Sequence, residues 1–194
     1  MSQDKVAQSK IAIVVGSNRR ESVNRKLAQA LAKLGAGGLD FRFVRIDDLP
    51  LYNQDDEGKL PASVVRFKAE IAAADGVLFV TPEHSRSIPA ALKNAIDWGA
   101  RPWGQNSWTG KVAAVTGTSP GAISTALAQQ HLRQILGAQG VVLSGGEAYL
   151  QFRPGLIDDN DVVTDEGTRG FLKSFLDQFA ALVGKLATPT RAAA

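Results

Sequence analysis

Two hydrophobic periods alternate strictly along this chain, and that alternation limits its possible folds more than any other feature. Short, continuously apolar runs at 11–15, 41–46, 77–80, 112–116 and 141–143 read as buried strands. Residues 23–34, 63–74, 90–98, 123–136 and 168–186 follow them in turn and carry apolar positions at helical spacing. A helix after every strand predicts a parallel sheet. Each parallel return needs a crossover, and right-handed crossovers lay helices on both faces of the sheet.

Five such strands predict an α/β fold of flavodoxin-like type, a three-layer αβα sandwich around a five-stranded parallel sheet of order 2-1-3-4-5. Ligands of such sheets bind outside the carboxyl ends of the strands, where the winding reverses between the first and third. That places the chemistry on the loops at 16–24, 81–88 and 117–121. With 194 residues and 44% apolar content, one core is expected, forming a single domain over 10–186 with flexible ends at 1–9 and 187–194. Residues 148–166 read as one long irregular stretch. Its Asp158, Asp159 and Asp161 lack the spacing and the closing glutamate of a calcium loop, so a solvated loop is expected.

Cysteine is absent, so thiolate chemistry, disulfides and Cys-based metal sites are excluded, and any redox chemistry must come from a cofactor. This fits a reducing compartment, and the cytoplasm is the expected location. No polar-to-apolar leader opens the sequence, and no apolar run reaches the roughly 20 residues of a membrane span, so no membrane association is expected. The net charge of +3 comes from scattered residues such as Arg19, Arg20, Arg25, Lys26, Arg42 and Arg45. Scattered charge suits small anionic molecules better than nucleic acid. His84 and His131 are the only histidines, and no carboxylate spacing converges on them, so no metal site is expected.

The first strand ends in Gly16-Ser17-Asn18-Arg19-Arg20-Glu21-Ser22-Val23-Asn24 and runs directly into a helix. Unpaired amides and the positive end of the helix dipole attract a phosphate there, and Ser17, Ser22, Asn24 and Arg20 can bond its oxygens. The alternative is that Ser22 simply caps the helix while the arginines face water. Position after the first strand favours the phosphate. Competing nucleotide motifs fail: only Gly16 of a G-x-G-x-x-G pattern is present, and the P-loop-like residues 104–111 are one residue too long and precede a strand.

This loop, together with Thr81-Pro82-Glu83-His84-Ser85-Arg86-Ser87-Ile88-Pro89 and Leu92-Lys93-Asn94-Ala95-Ile96-Asp97-Trp98, resembles the NADPH-dependent FMN reductase family, nearest to its bacterial quinone and chromate reductases. The resemblance extends over about 10–185, and His131-Leu132-Arg133-Gln134 also matches that branch. It implies FMN as cofactor and NADPH or NADH as transient donor, with quinones, chromate, azo or nitro compounds as small-molecule acceptors. By position it implies that Ser17, Arg20, Ser22 and Asn24 hold the FMN phosphate, with Asn18 and Arg19 lining the same loop. Pro82, Glu83, His84, Ser85 and Arg86 correspond to the segment whose backbone amides meet the isoalloxazine. Ser119 and Gly121 correspond to the far edge of the flavin pocket. Relatives commonly read P-E-Y-N where this chain has Pro82-Glu83-His84-Ser85, and often carry Tyr where it has Gln130. The first departure bears on the choice of acceptor.

No side chain is expected to act as the catalyst, since the flavin carries the chemistry; His84 is read as a pocket wall. The helix beginning after Pro89 would support itself through Lys93, Asp97 and Arg101 at four-residue intervals. The resemblance places it in a homodimer or homotetramer interface, from which Arg101 and Trp103 reach a neighbour's pocket. Trp98, Trp103 and Trp108 are otherwise expected in packing. Arg86 and Arg101 would draw anionic substrates. Two further readings share the fold: a non-catalytic binding module, and a flavodoxin-type electron carrier. The net positive charge speaks against the carrier, and the non-acidic end of the first strand, at Val15-Gly16, speaks against a phosphoacceptor module.

Overall fold

The computed structural model describes residues 8–186. The strands are β1 (Ser9–Val15), β2 (Leu39–Val44), β3 (Gly76–Val80), β4 (Val112–Ser119), β5 (Val142–Leu143) and β6 (Ala148–Gln151). All pairings between them are parallel, in the order β2-β1-β3-β4-β5, with β6 also on β4. The expected winding is therefore present. The helices are α1 (Val23–Gly35), α2 (Ala62–Ala72), α3 (Ala90–Ala100), α4 (Ala126–Ala138) and α5 (Glu166–Leu186).

Covering both faces explains why β1 and β3 lack polar alternation. Ile11, Ile13 and Val15 face Leu27 and Leu31 of α1 and Leu172, Phe175 and Phe179 of α5. Ala12 and Val14 face the other layer, with Phe67 and Ile71 of α2, Leu92 and Ile96 of α3, and Leu132 and Leu136 of α4. Side chains of successive strand residues point to opposite faces, so both layers draw on one apolar run.

The fifth strand position differs from expectation. It is built from two pieces: β5 pairs with Val112 and Ala113, and β6 pairs with residues 116–119 of the same neighbour. Residues 148–151, expected to be irregular, are thus a strand, with Ala148 and Leu150 buried on one side. The chain detours between the pieces at 144–147, where Gly146 takes a φ of 85°. The Arg133 guanidinium holds this detour, donating to the carbonyls of Ser144 (3.0 Å) and Gly146 (2.6 Å). Further on, Ile157 and Val163 form a bridge and enter the core, while Asp158 Oδ1 accepts from the amides of Asn160 and Val162. The aspartate cluster therefore shapes a turn.

Smaller shifts have local causes. The fourth helix starts at Ala126 rather than 123, since Ser124 lies at φ 51° and Ile123 is exposed. At the amino end β1 begins at Ser9, which pairs with Leu39. Of the ends expected to be flexible, 1–9 and 187–194, residues 1–7 and 187–194 lie outside the described residues, while Ser9 is held in the sheet. No helix among the described residues is long and apolar enough to cross a membrane.

Candidate functional site

At the carboxyl ends of β1 and β3 a cleft of about 500 Å³ opens between the first and second loops. Gly16, Ser17, Asn18, Arg19, Ser22, Val23 and Asn24 form one wall, with Pro82, His84, Pro89, Ala90 and Ala91 opposite. This volume lies within the roughly 300–1,000 Å³ usual for small-molecule sites. A larger cleft of about 880 Å³, lined by Tyr52, Arg101 and Trp103, lies toward the carboxyl end of α3. α3 runs antiparallel to the strands, so its 11 residues carry Arg101 about 16 Å from the cleft end.

The first wall is built by strand continuation and a cap. Gly16 extends β1 by donating its amide to the Val80 carbonyl (2.9 Å), and a Cβ there would meet Thr81 Oγ1 at 2.8 Å. Ser22 is buried and extended, and its Oγ accepts from the Arg25 amide at 3.3 Å, so its side chain caps α1. One first-turn donor is satisfied in this way. The Val23 and Asn24 amides remain at the cleft, since no intrahelical acceptor exists for the opening turn. No acidic residue lies in that turn, and among the described residues neither Arg19 nor Arg20 is in an ion pair. The donor set and dipole suit a phosphate.

Asn24 is 2% exposed and works inward as well as lining the cleft. Its carboxamide donates to the Thr118 carbonyl and accepts from the Thr118 amide, both at 2.9 Å. This joins the first loop to the end of β4, between partners 94 positions apart in the chain. Thr118 in turn donates its hydroxyl to the Leu150 carbonyl (2.6 Å), which also receives the Ser124 hydroxyl (2.7 Å). Ser119, the last residue of β4, donates its hydroxyl to the Ser124 carbonyl. Gly121 is exposed in the same loop.

The second loop is a tight hairpin. His84 and Ser87 exchange two backbone hydrogen bonds of 2.9 Å, and the residues between them, Ser85 and Arg86, have φ of 49° and 64°. Positive φ at both central positions defines a type I′ turn, which ordinarily carries Asn-Gly. Neither Ser nor Arg relieves the steric cost, so the turn is a strained element beside the cleft. Glu83 points away from the cleft, and its side chain is 8% exposed. It accepts from the Leu127 and Ala128 amides and from Arg86.

Of the residues singled out in the sequence, Ser17, Asn18, Ser22, Asn24, Pro82 and His84 therefore meet at one cleft. Arg20, Glu83, Ser85, Arg86, Ser119 and Gly121 flank it without lining it. Arg101 is elsewhere: its Nε donates to Glu57 Oε1 (2.6 Å), an oxygen that also accepts from the Tyr52 hydroxyl (2.6 Å). Those two bonds, Tyr52 foremost, hold the Glu57 carboxyl below its ordinary range, and Glu57 in turn raises Arg101. Lys93 does pair with Asp97 (2.7 Å), but Arg101 is taken by Glu57 instead of continuing that series. Trp98 and Trp108 are buried, whereas Trp103 is 88% exposed. Asn94 and Trp98 both donate to the Pro50 carbonyl (2.9 and 2.8 Å), so the motif on α3 acts by pinning the 50–52 loop. Sequence reasoning missed Thr118, Thr81 and Ser124, buried hydroxyls that shape the loops. Thr81 donates its hydroxyl to the adjacent Pro82 carbonyl (2.8 Å), whereas the hydroxyls of Thr118 and Ser124 reach Leu150, distant in sequence, and only the position of Thr118 at a strand end hinted at that pairing.

Known proteins share the sequence pattern and the fold of this chain. The sequence model of the family described as NADPH-dependent FMN reductase matches residues 9–154. A 2-hydroxy-1,4-benzoquinone reductase from a Burkholderia species is 50% identical over 175 residues, covering 90% of this chain and 96% of its own. A quinone reductase from Pseudomonas putida is 48% identical over 175 residues, covering 89% and 94%. Among solved structures, the flavoenzyme NAD(P)H:(acceptor) oxidoreductase FerB from Paracoccus denitrificans superposes with a TM-score of 0.90 at 46% identity, covering 93% of this chain and all of that one.

Proposed function

The chain belongs to the NADPH-dependent FMN reductase family, and on that premise we propose that the cleft at the ends of β1 and β3 is where it holds FMN and reduces quinones with NAD(P)H. One observation carries the assignment to this cleft: the opening turn of α1, free of acidic residues and flanked by Arg19 and Arg20, which are in no ion pair among the described residues, faces a space of suitable size at the reversal of the winding. The chemistry FMN would supply here is hydride transfer: a hydride taken from the reduced nicotinamide would pass by way of the ring to a quinone, which would gain one proton from solvent to become the hydroquinone.

The residues have separate tasks in this reading. The Val23 and Asn24 amides, the Ser17 hydroxyl and the Arg20 guanidinium bind the phosphate, and Asn18 and Arg19 border it. The backbone of 83–86 faces the ring, and Pro82 and His84 wall it. Ser119 and Gly121 close the far edge. Arg86 draws anionic acceptors to the mouth, among them chromate and acidic azo or nitro compounds. We read residues 10–186 as one domain working in the cytoplasm. We also read it as a homo-oligomer, since Leu51 (84%) and Trp103 (88%) are large apolar side chains left in the open. A neighbour covering them is the route by which Arg101 would serve a site, because it is about 16 Å from its own.

Arg20→Ala is expected to weaken FMN binding by about 1.5–3 kcal/mol, the usual contribution of a hydrogen bond to a charged group. Fluorescence titration of the apoprotein measures this, and an unchanged affinity would remove Arg20 from the phosphate site. Donor and acceptor share one open face of the cleft, so steady-state rates with a quinone should give parallel lines in double-reciprocal plots. Intersecting lines would mean that both substrates bind together. A protein that takes up no FMN would defeat the whole assignment.

A further inference from the structure

We infer that Glu83 is a positioning residue that locks the strained Ser85–Arg86 turn to the amino end of α4, and so fixes the backbone that faces the flavin ring. The inference rests on the proposed FMN cleft and assigns Glu83 a task other than touching the cofactor.

Three observations converge on Glu83. First, its side chain is 8% exposed although it is a carboxylate. Oε2 accepts from the Leu127 and Ala128 amides, both at 3.1 Å, and Oε1 accepts from Arg86 Nη1 at 3.1 Å. Second, α4 has no cap of its own: Thr125 occupies the N-cap position without a side-chain hydrogen bond. A carboxylate from another loop therefore satisfies the orphan amides and meets the positive end of the helix dipole. Third, the turn it reaches back to is costly, with two consecutive non-glycine residues at positive φ.

Such a conformation persists only where its surroundings over-determine it. Glu83 supplies one clamp, joining Arg86 to the start of α4. The opposite flank of the hairpin supplies another, where Ser87 Oγ and His131 Nδ1, on the same helix, are 2.7 Å apart. The hairpin is thereby held to α4 on both sides. A charge-assisted bond is stronger than a neutral one, and the Glu83 clamp contains three. Without it, Ser85 and Arg86 would relax toward negative φ and swing the amides of the turn away from the ring.

The test compares Glu83→Ala, Glu83→Gln and the double variant Glu83→Ala/Ser85→Gly, each reconstituted with FMN beside the wild-type protein. Wild-type FMN uptake tests the cleft itself. With that established, Glu83→Ala is expected to keep FMN through the first loop, lose roughly 10- to 100-fold in kcat, as displacement of a positioned group does, and alter the flavin's visible band and midpoint potential. Glu83→Gln, which keeps an oxygen acceptor for the helix amides, should recover part of the loss. Glycine tolerates positive φ freely, so adding Ser85→Gly should recover activity without restoring the helix cap. A purely structural cap predicts no such recovery. Wild-type kcat, spectrum and potential in Glu83→Ala would overturn the inference, as would a loss in kcat that only tracks lost FMN or lost folded protein. If Glu83→Ala does not accumulate, Glu83→Gln carries the same readouts, and wild-type values for all of them would likewise overturn it.

Discussion

Asn24→Ala is expected to destabilise the protein by about 2–6 kcal/mol and to weaken FMN binding at the same time. The carboxamide pairs with both backbone groups of Thr118 at 2.9 Å in a position 2% exposed to solvent. Truncation leaves a buried amide and a buried carbonyl without partners, and each orphaned group costs about 1–3 kcal/mol. Alanine is otherwise favourable in a helix, so propensity does not oppose the substitution and the loss reports the two bonds. The same contact ties the first loop to the end of β4, so its removal also loosens the wall proposed to receive the phosphate. Urea unfolding of the apoprotein measures the first effect, and FMN titration measures the second. A loss below about 1 kcal/mol would show that Thr118 finds other partners. Asn24→Asp is expected to be at least as damaging, because a carboxylate would face the Thr118 carbonyl that the amide nitrogen now serves.

Gly117→Ala should be the other severe change, by about 3 kcal/mol, at the upper end for overpacking. A Cβ at Gly117 would stand 2.0 Å from the Thr81 carbonyl oxygen and 2.6 Å from Thr125 Oγ1. The nearer atom is backbone, so no rotamer change relieves the contact. β3 and β4 would have to separate where the Thr81 amide donates to the Thr116 carbonyl at 2.9 Å. This strand end carries the loop from Pro82 onward, so the hairpin should shift with it. Lower thermal stability, together with a changed flavin spectrum in the holoprotein, is the expected result. A urea midpoint equal to that of the wild type would mean that the strands part at little cost. Gly121→Ala makes a useful control for the urea midpoint alone, since its Cβ would meet nothing closer than Ser119 Oγ at 3.7 Å.

How much was legible beforehand differed from element to element. The apolar runs of β1, β3 and β4 stood out because strands buried on both faces must be apolar throughout. The last strand position did not, because its two pieces are short and the detour between them is held by Arg133, which belongs to another element. The alternation Ala148-Tyr149-Leu150-Gln151 was visible in the sequence, but four residues beside a Gly-Gly pair carry little signal by themselves. The first loop was readable as a small-residue turn opening a helix, which is the local chemistry on which the proposed phosphate site rests. The second was not readable as a type I′ hairpin, because Ser-Arg is not the dipeptide such a turn selects.

The sequence by itself determined the winding, the family and therefore the cofactor class, since these follow from periodicity and from motifs whose residues are near one another in the chain. Tertiary structure decided what each side chain of those motifs does. Ser22 caps α1 as well as bordering the cleft, Asn24 binds the end of β4, Glu83 serves α4, and Arg101 is held by Glu57 about 16 Å from the cleft end. The reason is physical: buried polar atoms must be satisfied wherever a partner lies in space, and the partners of Asn24, Glu83 and Arg101 are about 40 to 95 residues away along the chain.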